Sequence, residues 1–152
     1  MTPIVAFHPG SGSEQKNWPI ENWLELGNRL LANFSGSLIA ISGEADEPRM
    51  RRLASICQNP RVRLAKNLLL TDLAALLANT IFLGHDSGIS HLAAAAGARC
   101  ILLFGPTDPA VWAPLSDKVR ILRAPNGDLR QLNADLVYDL LDHELMRMGI
   151  NT

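Results

Sequence analysis

The chain is short of the features that most readily classify a sequence. Among 152 residues there are only two cysteines, Cys57 and Cys100. That is too few for a disulfide framework, and each stands inside an apolar element, so both read as reduced core thiols of a cytosolic protein. Charge of either sign is not in surplus: 14 basic against 15 acidic side chains leave a formal net charge of −1. This excludes a global field that would recruit nucleic acid or an anionic membrane, so an anionic ligand must be held by local dipoles and a few placed cations. No secretory leader opens the sequence, because Met1-Thr2-Pro3-Ile4 lacks a basic start. No stretch is long and apolar enough to span a bilayer: the most apolar one, 68–84, is broken by Thr71, Asp72 and Asn79. Repeats, low-complexity tracts and internal linkers are missing too. Metal-ligand spacing is also lacking, since His8, His85, His91 and His143 form no H-E-x-x-H and the cysteines no C-x-x-C.

What is present is a composition of 47% hydrophobic and 19% charged residues. A chain of this length buries roughly 70% of its unfolded surface and holds a core without staples. The apolar runs Ile4-Val5-Ala6-Phe7, Leu38-Ile39-Ala40-Ile41, Val62-Arg63-Leu64, Ile81-Phe82-Leu83, Cys100-Ile101-Leu102-Leu103-Phe104 and Val119-Arg120-Ile121-Leu122 are predicted strands. Between them the i, i+3, i+4, i+7 spacing predicts a helix over 20–34, and further helices are read over about 46–57, a polar one, after a cap at Thr71 or Asp72, and over 89–96, alanine-rich and stopped by Gly97. A loop runs from Gly105 through Trp112 and Pro114. Asn133 caps a last helix with Leu136, Val137, Leu140, Leu141, Leu145 and Met148 along one stripe. Strands alternating with helices predict an α/β fold: one Rossmann-like, doubly wound parallel sheet of about six strands, forming a single domain over 1–152. The abrupt entry into a strand by position 4 is what removal of a preceding domain would leave.

In such a sheet, ligands bind at the carboxyl ends of the strands, near the point where strand order reverses. The unusual residues of this chain collect there, at 8–16, 43–47, 84–91 and 105–108. Gly10-Ser11-Gly12-Ser13 resembles a phosphate-binding turn, yet Gln15 stands where G-x-G-x-x-G needs glycine, and no glycine precedes Lys16 as in a P-loop. Lys16 is either a surface lysine or a point charge on a phosphate. In Asp86-Ser87-Gly88-Ile89-Ser90-His91 the amides near Ser87, Gly88 and Ile89 open a helix, where a dipole favours anions. Asp86 or Ser87 as a mere N-cap would explain neither Gly88 nor a histidine on an alanine-rich helix. Serine stands fourth in Gly84-His85-Asp86-Ser87-Gly88, so this is no G-x-S-x-G nucleophile elbow. His143 reads as solvated; Trp18 and Trp23 read as packing residues, while Trp112 reads either way.

Taken in order, His8-Pro9-Gly10-Ser11-Gly12, Lys16-Asn17-Trp18-Pro19, Trp23, Gly84-His85-Asp86-Ser87-Gly88, His91-Leu92-Ala93 and Phe104-Gly105-Pro106-Thr107 resemble the C-terminal domain of glycosyltransferase family 9. That family includes the ADP-heptose:lipopolysaccharide heptosyltransferases. The resemblance implies the C-terminal half of a GT-B enzyme, inverting and metal-independent, in lipopolysaccharide core assembly. It implies no cofactor beyond the donor substrate, a nucleoside-diphosphate sugar such as ADP-heptose. By the same resemblance, Lys16 and the Ser11–Gly12 loop contact the pyrophosphate or sugar, and Asp86, Ser87, Gly88, Ile89 and His91 hold the diphosphate and sugar hydroxyls. An acidic residue after the second strand takes the ribose; Glu47, four after Gly43, matches that place better than Glu44, and both stay open. The family's N-terminal domain, with its acceptor site for the lipopolysaccharide core and its catalytic base, has no counterpart here. Nor does the cysteine-bearing insertion many members have between the positions of Leu122 and Leu132. No catalytic base is therefore assigned, and the isolated domain is expected to be inactive. Such an enzyme is cytoplasmic, with peripheral contact to the inner membrane. With a partner domain absent, His8, Trp112 and the C-terminal helix are expected to be more exposed than in a complete enzyme. Two other readings stand beside this one: a self-sufficient nucleotide-binding module, and half of another GT-B protein such as a nucleotide-sugar epimerase.

Overall fold

The computed structural model describes residues 3–150. Six strands, β1 (Ile4–Phe7), β2 (Ser37–Ser42), β3 (Val62–Lys66), β4 (Ile81–His85), β5 (Arg99–Phe104) and β6 (Val119–Arg123), pair in parallel in the order 3-2-1-4-5-6. The order reverses between β1 and β4, which lie side by side with Val5 opposite Ile81. A doubly wound parallel sheet of this order has its crevice at that junction, outside the carboxyl ends.

Alternation along each strand sends residues to two separate cores. Val5, Phe7, Leu38, Ala40, Ile81, Leu83, Ile101 and Leu103 face helices α1 (Ile20–Asn33), α3 (Ala54–Cys57) and α7 (Ala134–Arg147). Ala6, Ile39, Ile41, Phe82, Cys100, Leu102 and Phe104 face α4 (Leu70–Leu77) and α5 (Gly88–Ala95). Both faces being covered, the central strands are apolar throughout rather than alternating with polar residues. Cys100 is buried and Cys57 half-buried, both as free thiols; burial raises both, Cys100 to about 12, which leaves them unreactive.

Several local expectations are corrected. The helix over 46–57 is two pieces, α2 (Glu47–Arg52) and α3, with Leu53 between them off helical geometry. Neither Thr71 nor Asp72 caps α4, which begins at Leu70 with Leu69 at the N-cap and no side-chain cap. The loop after Gly105 contains a short helix, α6 (Pro109–Trp112), capped by Asp108. On α7, Leu136 and Met148 are exposed rather than part of the buried stripe, which is Ala134, Val137, Tyr138, Leu141, Glu144 and Leu145. Asn133 does cap α7 through the Leu136 amide, and Gly97 does close α5, at φ +90. No helix of the described residues is long and apolar enough to cross a membrane.

Candidate functional site

The crevice is assembled by three histidine and carboxylate attachments that tie one strand end to the next. The first is His85, the last residue of β4, fully buried with its ring edge against Trp23. Its Nε2 accepts from the Trp18 amide at 2.9 Å, and its Nδ1 lies 3.2 Å from the Gly10 carbonyl. An amide can only donate and a carbonyl only accept, so the proton sits on Nδ1. Burial drives the imidazole down to about 3, against the opposing pull of the Gly10 carbonyl. A neutral ring thereby pins both ends of the loop that carries Ser11, Gly12 and Lys16.

The second attachment joins His8, after β1, to Asp46, after β2, with Nε2 2.9 Å from Oδ2. Asp46 also accepts from the Gly43 amide at 2.8 Å. Burial pushes its carboxyl up; the His8 ring and the Gly43 amide outweigh that and leave it below the usual carboxylate range. Gly10 is required here, because a Cβ on it would stand 1.8 Å from Asp46 Oδ1. His8, expected among the exposed residues of this rim, is instead buried, since it is half of this pair; Trp112 is exposed.

The third is Lys16 to Asp86, Nζ to Oδ2 at 3.1 Å. Asp86 is buried and Lys16 half-buried. The next residue, Ser87, is the N-cap of α5, its hydroxyl accepting from the Ser90 amide. The Ser90 hydroxyl in turn donates to the His85 carbonyl. In an α-helix the first amides have no partner of their own, so those of Gly88 and Ile89 are left open at the start of α5.

These attachments frame a cleft of about 580 Å³ bordered by His8, Ser11, Gly12, Ser87, Gly88 and His91. A Cβ on Gly12 or on Gly88 would meet nothing within 4 Å. Neither glycine has a positive φ, so the fold itself demands neither of them. The cleft continues into a narrower slot of about 180 Å³ between the ends of β2 and β3, walled by Ile41, Ala65, Leu68, Leu70 and Leu73 and sharing His8 and Ile89.

Sequence-predicted residues Ser11, Gly12, Ser87, Gly88, Ile89 and His91 all border this one cleft, and Lys16 and Asp86 stand beside it as a pair. His91 donates from Nε2 to the Trp112 carbonyl at 3.0 Å, tying α5 to α6. Glu47 stands apart: it pairs with Lys66 at 2.9 Å and borders a different hollow with Met50 and Cys57. The Lys66 ammonium holds its carboxyl below the usual range. Asp46 and the slot wall at Leu68 and Leu70 escaped the sequence reading. The available signal for Asp46 was an aspartate three residues past the glycine that closes β2, a spacing suited to bond that glycine's amide.

A doubly wound α/β domain of the Rossmann type is what this strand order defines. The family model for glycosyltransferase family 9 (heptosyltransferase) matches residues 1–140, and the chain belongs to that family. It is 36% identical over 138 residues to lipooligosaccharide heptosyltransferase 2 of Haemophilus influenzae, covering 84% of this chain and 38% of that protein. Among solved structures, E. coli heptosyltransferase WaaC with ADP superimposes with a TM-score of 0.84 at 30% identity, over 93% of this chain and 44% of that one. The same enzyme with ADP-2-deoxy-2-fluoro heptose gives a TM-score of 0.80 at 26% identity, over 94% and 44%. The chain thus spans less than half the length of the relatives it matches.

Proposed function

We propose that this chain is the donor-binding part of an inverting, metal-independent heptosyltransferase acting in lipopolysaccharide core assembly at the cytoplasmic side of the inner membrane. ADP-heptose is the proposed donor and a sugar of the core the acceptor. One observation carries the reading: Gly12 and Gly88 border the same cleft, and each leaves open space where a side chain would stand. A glycine that neither turn nor packing requires, at the start of a helix whose amides are unpaired, suits a phosphate that must approach the backbone closely.

The chemistry follows from charge. Displacement at the anomeric carbon leaves a nucleoside diphosphate, and negative charge grows on its oxygens as the bond breaks. In this reading Lys16 and the α5 amides receive that charge from positions fixed before the bond breaks, so stabilising the departing group needs little reorganisation. Lys16 has three N–H donors and uses one on Asp86, which leaves it able to serve both. The apolar slot beside the ends of β2 and β3 suits the flat base, and Glu44 and Glu47, on the segment that follows Gly43 of its wall, are the alternative ribose partners. Glu47 would have to leave Lys66 to serve.

Titration calorimetry with ADP tests this. Gly88→Val adds bulk only to empty space, so the fold is retained while ADP binding is lost. Lys16→Ala removes a charged hydrogen bond worth about 1.5–3 kcal/mol, at least tenfold in affinity, though it also leaves Asp86 unpaired. If both variants bind ADP like the parent, the cleft is not the nucleotide site.

A further inference from the structure

A hollow outside the donor cleft lies where β3, an edge strand of the sheet, meets α2 and α3. It encloses about 330 Å³, at the small end of the range of small-molecule sites. We infer that it binds a single alkyl chain ending in an anion, a carboxylate or a phosphate ester. The inference does not depend on the donor reading.

Alternation along β3 separates this hollow from the nucleotide side. Leu64 and Lys66 border it, while Ala65 between them borders the slot. Successive strand residues point to opposite faces, so the two spaces lie on opposite sides of the sheet. They share Ser42, at the end of β2, and no other residue.

The hollow exists because helical cover fails there. Leu53 leaves helical geometry between α2 and α3, and α3 is only 4 residues long. Leu53 and Ile56 turn fully into the core, which leaves Met50, Ala54 and Cys57 as the outward wall. On the other side β3 has a neighbouring strand along one edge only, and its Leu64 is 56% exposed. Four apolar side chains thus border one concave space. That is surface of the kind that binds ligands, unlike a lone exposed leucine.

Charge at the mouth names the end group. Lys66 is paired with Glu47 at 2.9 Å and spends one of its three N–H donors there. The Arg51 guanidinium is exposed and has neither a hydrogen bond nor an ion pair among the described residues. Two cations against one carboxylate leave the mouth positive. Both side chains have aliphatic stems that can lie along an apolar wall with the charged head in water. An added peptide strand suits this edge poorly, because Arg63 and Lys66 stand exposed along β3 and such charges guard an edge. A space of this size takes one short chain, not the two long ones of a phospholipid.

The test is calorimetry on the 152-residue chain with hexanoate, octanoate and decanoate, each kept below its micelle concentration. Affinity should rise about fourfold per added methylene, from ~0.8 kcal/mol for each one buried, until the hollow is full. Octanol and octylamine should bind about two- to fivefold more weakly than octanoate, the worth of an exposed ion pair. Ala54→Trp fills the hollow from an exposed helix position and should abolish binding of all of them. Arg51→Gln should bring octanoate close to octanol. Location is read separately by alkylation: Cys57 is half-buried and Cys100 buried, so decanoate should slow iodoacetamide at Cys57. No binding, affinity that ignores chain length, unchanged binding in Ala54→Trp or an unprotected Cys57 would each overturn the site. Octylamine that matches octanoate would overturn the anionic end. Protection of Cys57 by vesicles of anionic phospholipid would overturn the single chain.

Discussion

His85 is an ionisable side chain used as a neutral strut, and that choice has a pH signature. Its folded value of about 3 lies well below the 6.5 of a free imidazole. Between those two values the unfolded chain binds a proton that the folded chain refuses. Stability is therefore complete above about 6.5 and falls as pH falls, by at most about 1.4 kcal/mol per unit for one proton. Asp46, also held below its usual range, adds its own loss at lower pH with the same sign. Urea titrations of parent and His85→Gln between pH 4 and 7 separate the two, because the glutamine variant should lose the upper part of the slope. His85→Ala should cost about 2–4 kcal/mol at neutral pH, since it strands a buried amide and a buried carbonyl. Parallel pH curves for parent and His85→Gln would show that His85 is not the group responsible. In the sequence His85 stands only as part of a strand-end motif. Its partners, Gly10 and Trp18, are 75 and 67 residues away, and no local pattern carries that information. Asp46 was hidden the same way, behind a histidine 38 residues earlier.

Among the elements, α7 illustrates what periodicity conveys and what it misses. Its length and its Asn133 cap were legible, because both depend on neighbours within one turn. The face it buries was misjudged at Leu136 and Met148, and Glu144 was not foreseen as a buried residue at all. Glu144 is 3% exposed and meets Arg99 of β5 at 3.4 Å, Arg120 of β6 at 3.3 Å and Arg147 of its own helix at 3.3 Å. Three cations from three elements converge on one carboxylate, an arrangement that only tertiary structure reveals. The N-terminal end of α7 is held separately: the Leu132 carbonyl accepts from Trp18 Nε1 and Asn22 Nδ2, and Arg29 pairs with Asp135 and lies over the Tyr138 ring. Glu144→Ala should lower stability by about 2–3 kcal/mol. That is less than for a wholly buried pair, because the arginines are about one-third to one-half exposed and regain water. Thermal unfolding of the variant checks this; an unchanged midpoint would mean that the cluster is only a solvated surface group. By contrast, the strands were legible because a sheet buried on both faces must be written in long apolar runs.

For the molecule as a whole, three carboxylates at the strand ends are already engaged. Asp86 is held by Lys16, Asp46 by His8 and Gly43, and Glu47 by Lys66. His91 is spent on the Trp112 carbonyl, and the unpartnered Nδ1 of His8 is buried. Removing the acceptor's hydroxyl proton needs a base within about 2.6–3.2 Å of it, directly or through one water. The expected outcome is that the 152-residue chain, incubated with ADP-heptose and a deacylated lipopolysaccharide core, forms no product, while a separately expressed N-terminal half of a relative restores transfer. Product from the chain alone, followed by mass spectrometry, would reveal a base among these residues. Apolar side chains flank the same rim, Leu69 and Leu70 on one side and Val111 and Trp112 on the other, all exposed. Location of the site was legible because parallel strands send their carboxyl ends one way. Its division into slot and cleft was not, because each wall is shared by loops far apart in the chain.

A sheet whose strands all run one way also has a rear. Residues 34–36, 58–61, 78–80, 96–98 and 113–118 form the turns that lead back into the strands, and none of them borders the cleft or the slot proposed for the donor. Ser116 and Asp117 are exposed there. A dye or a surface tether fixed at either position would leave the whole working rim facing outward, so the protein comes with its own mounting side for immobilised binding measurements.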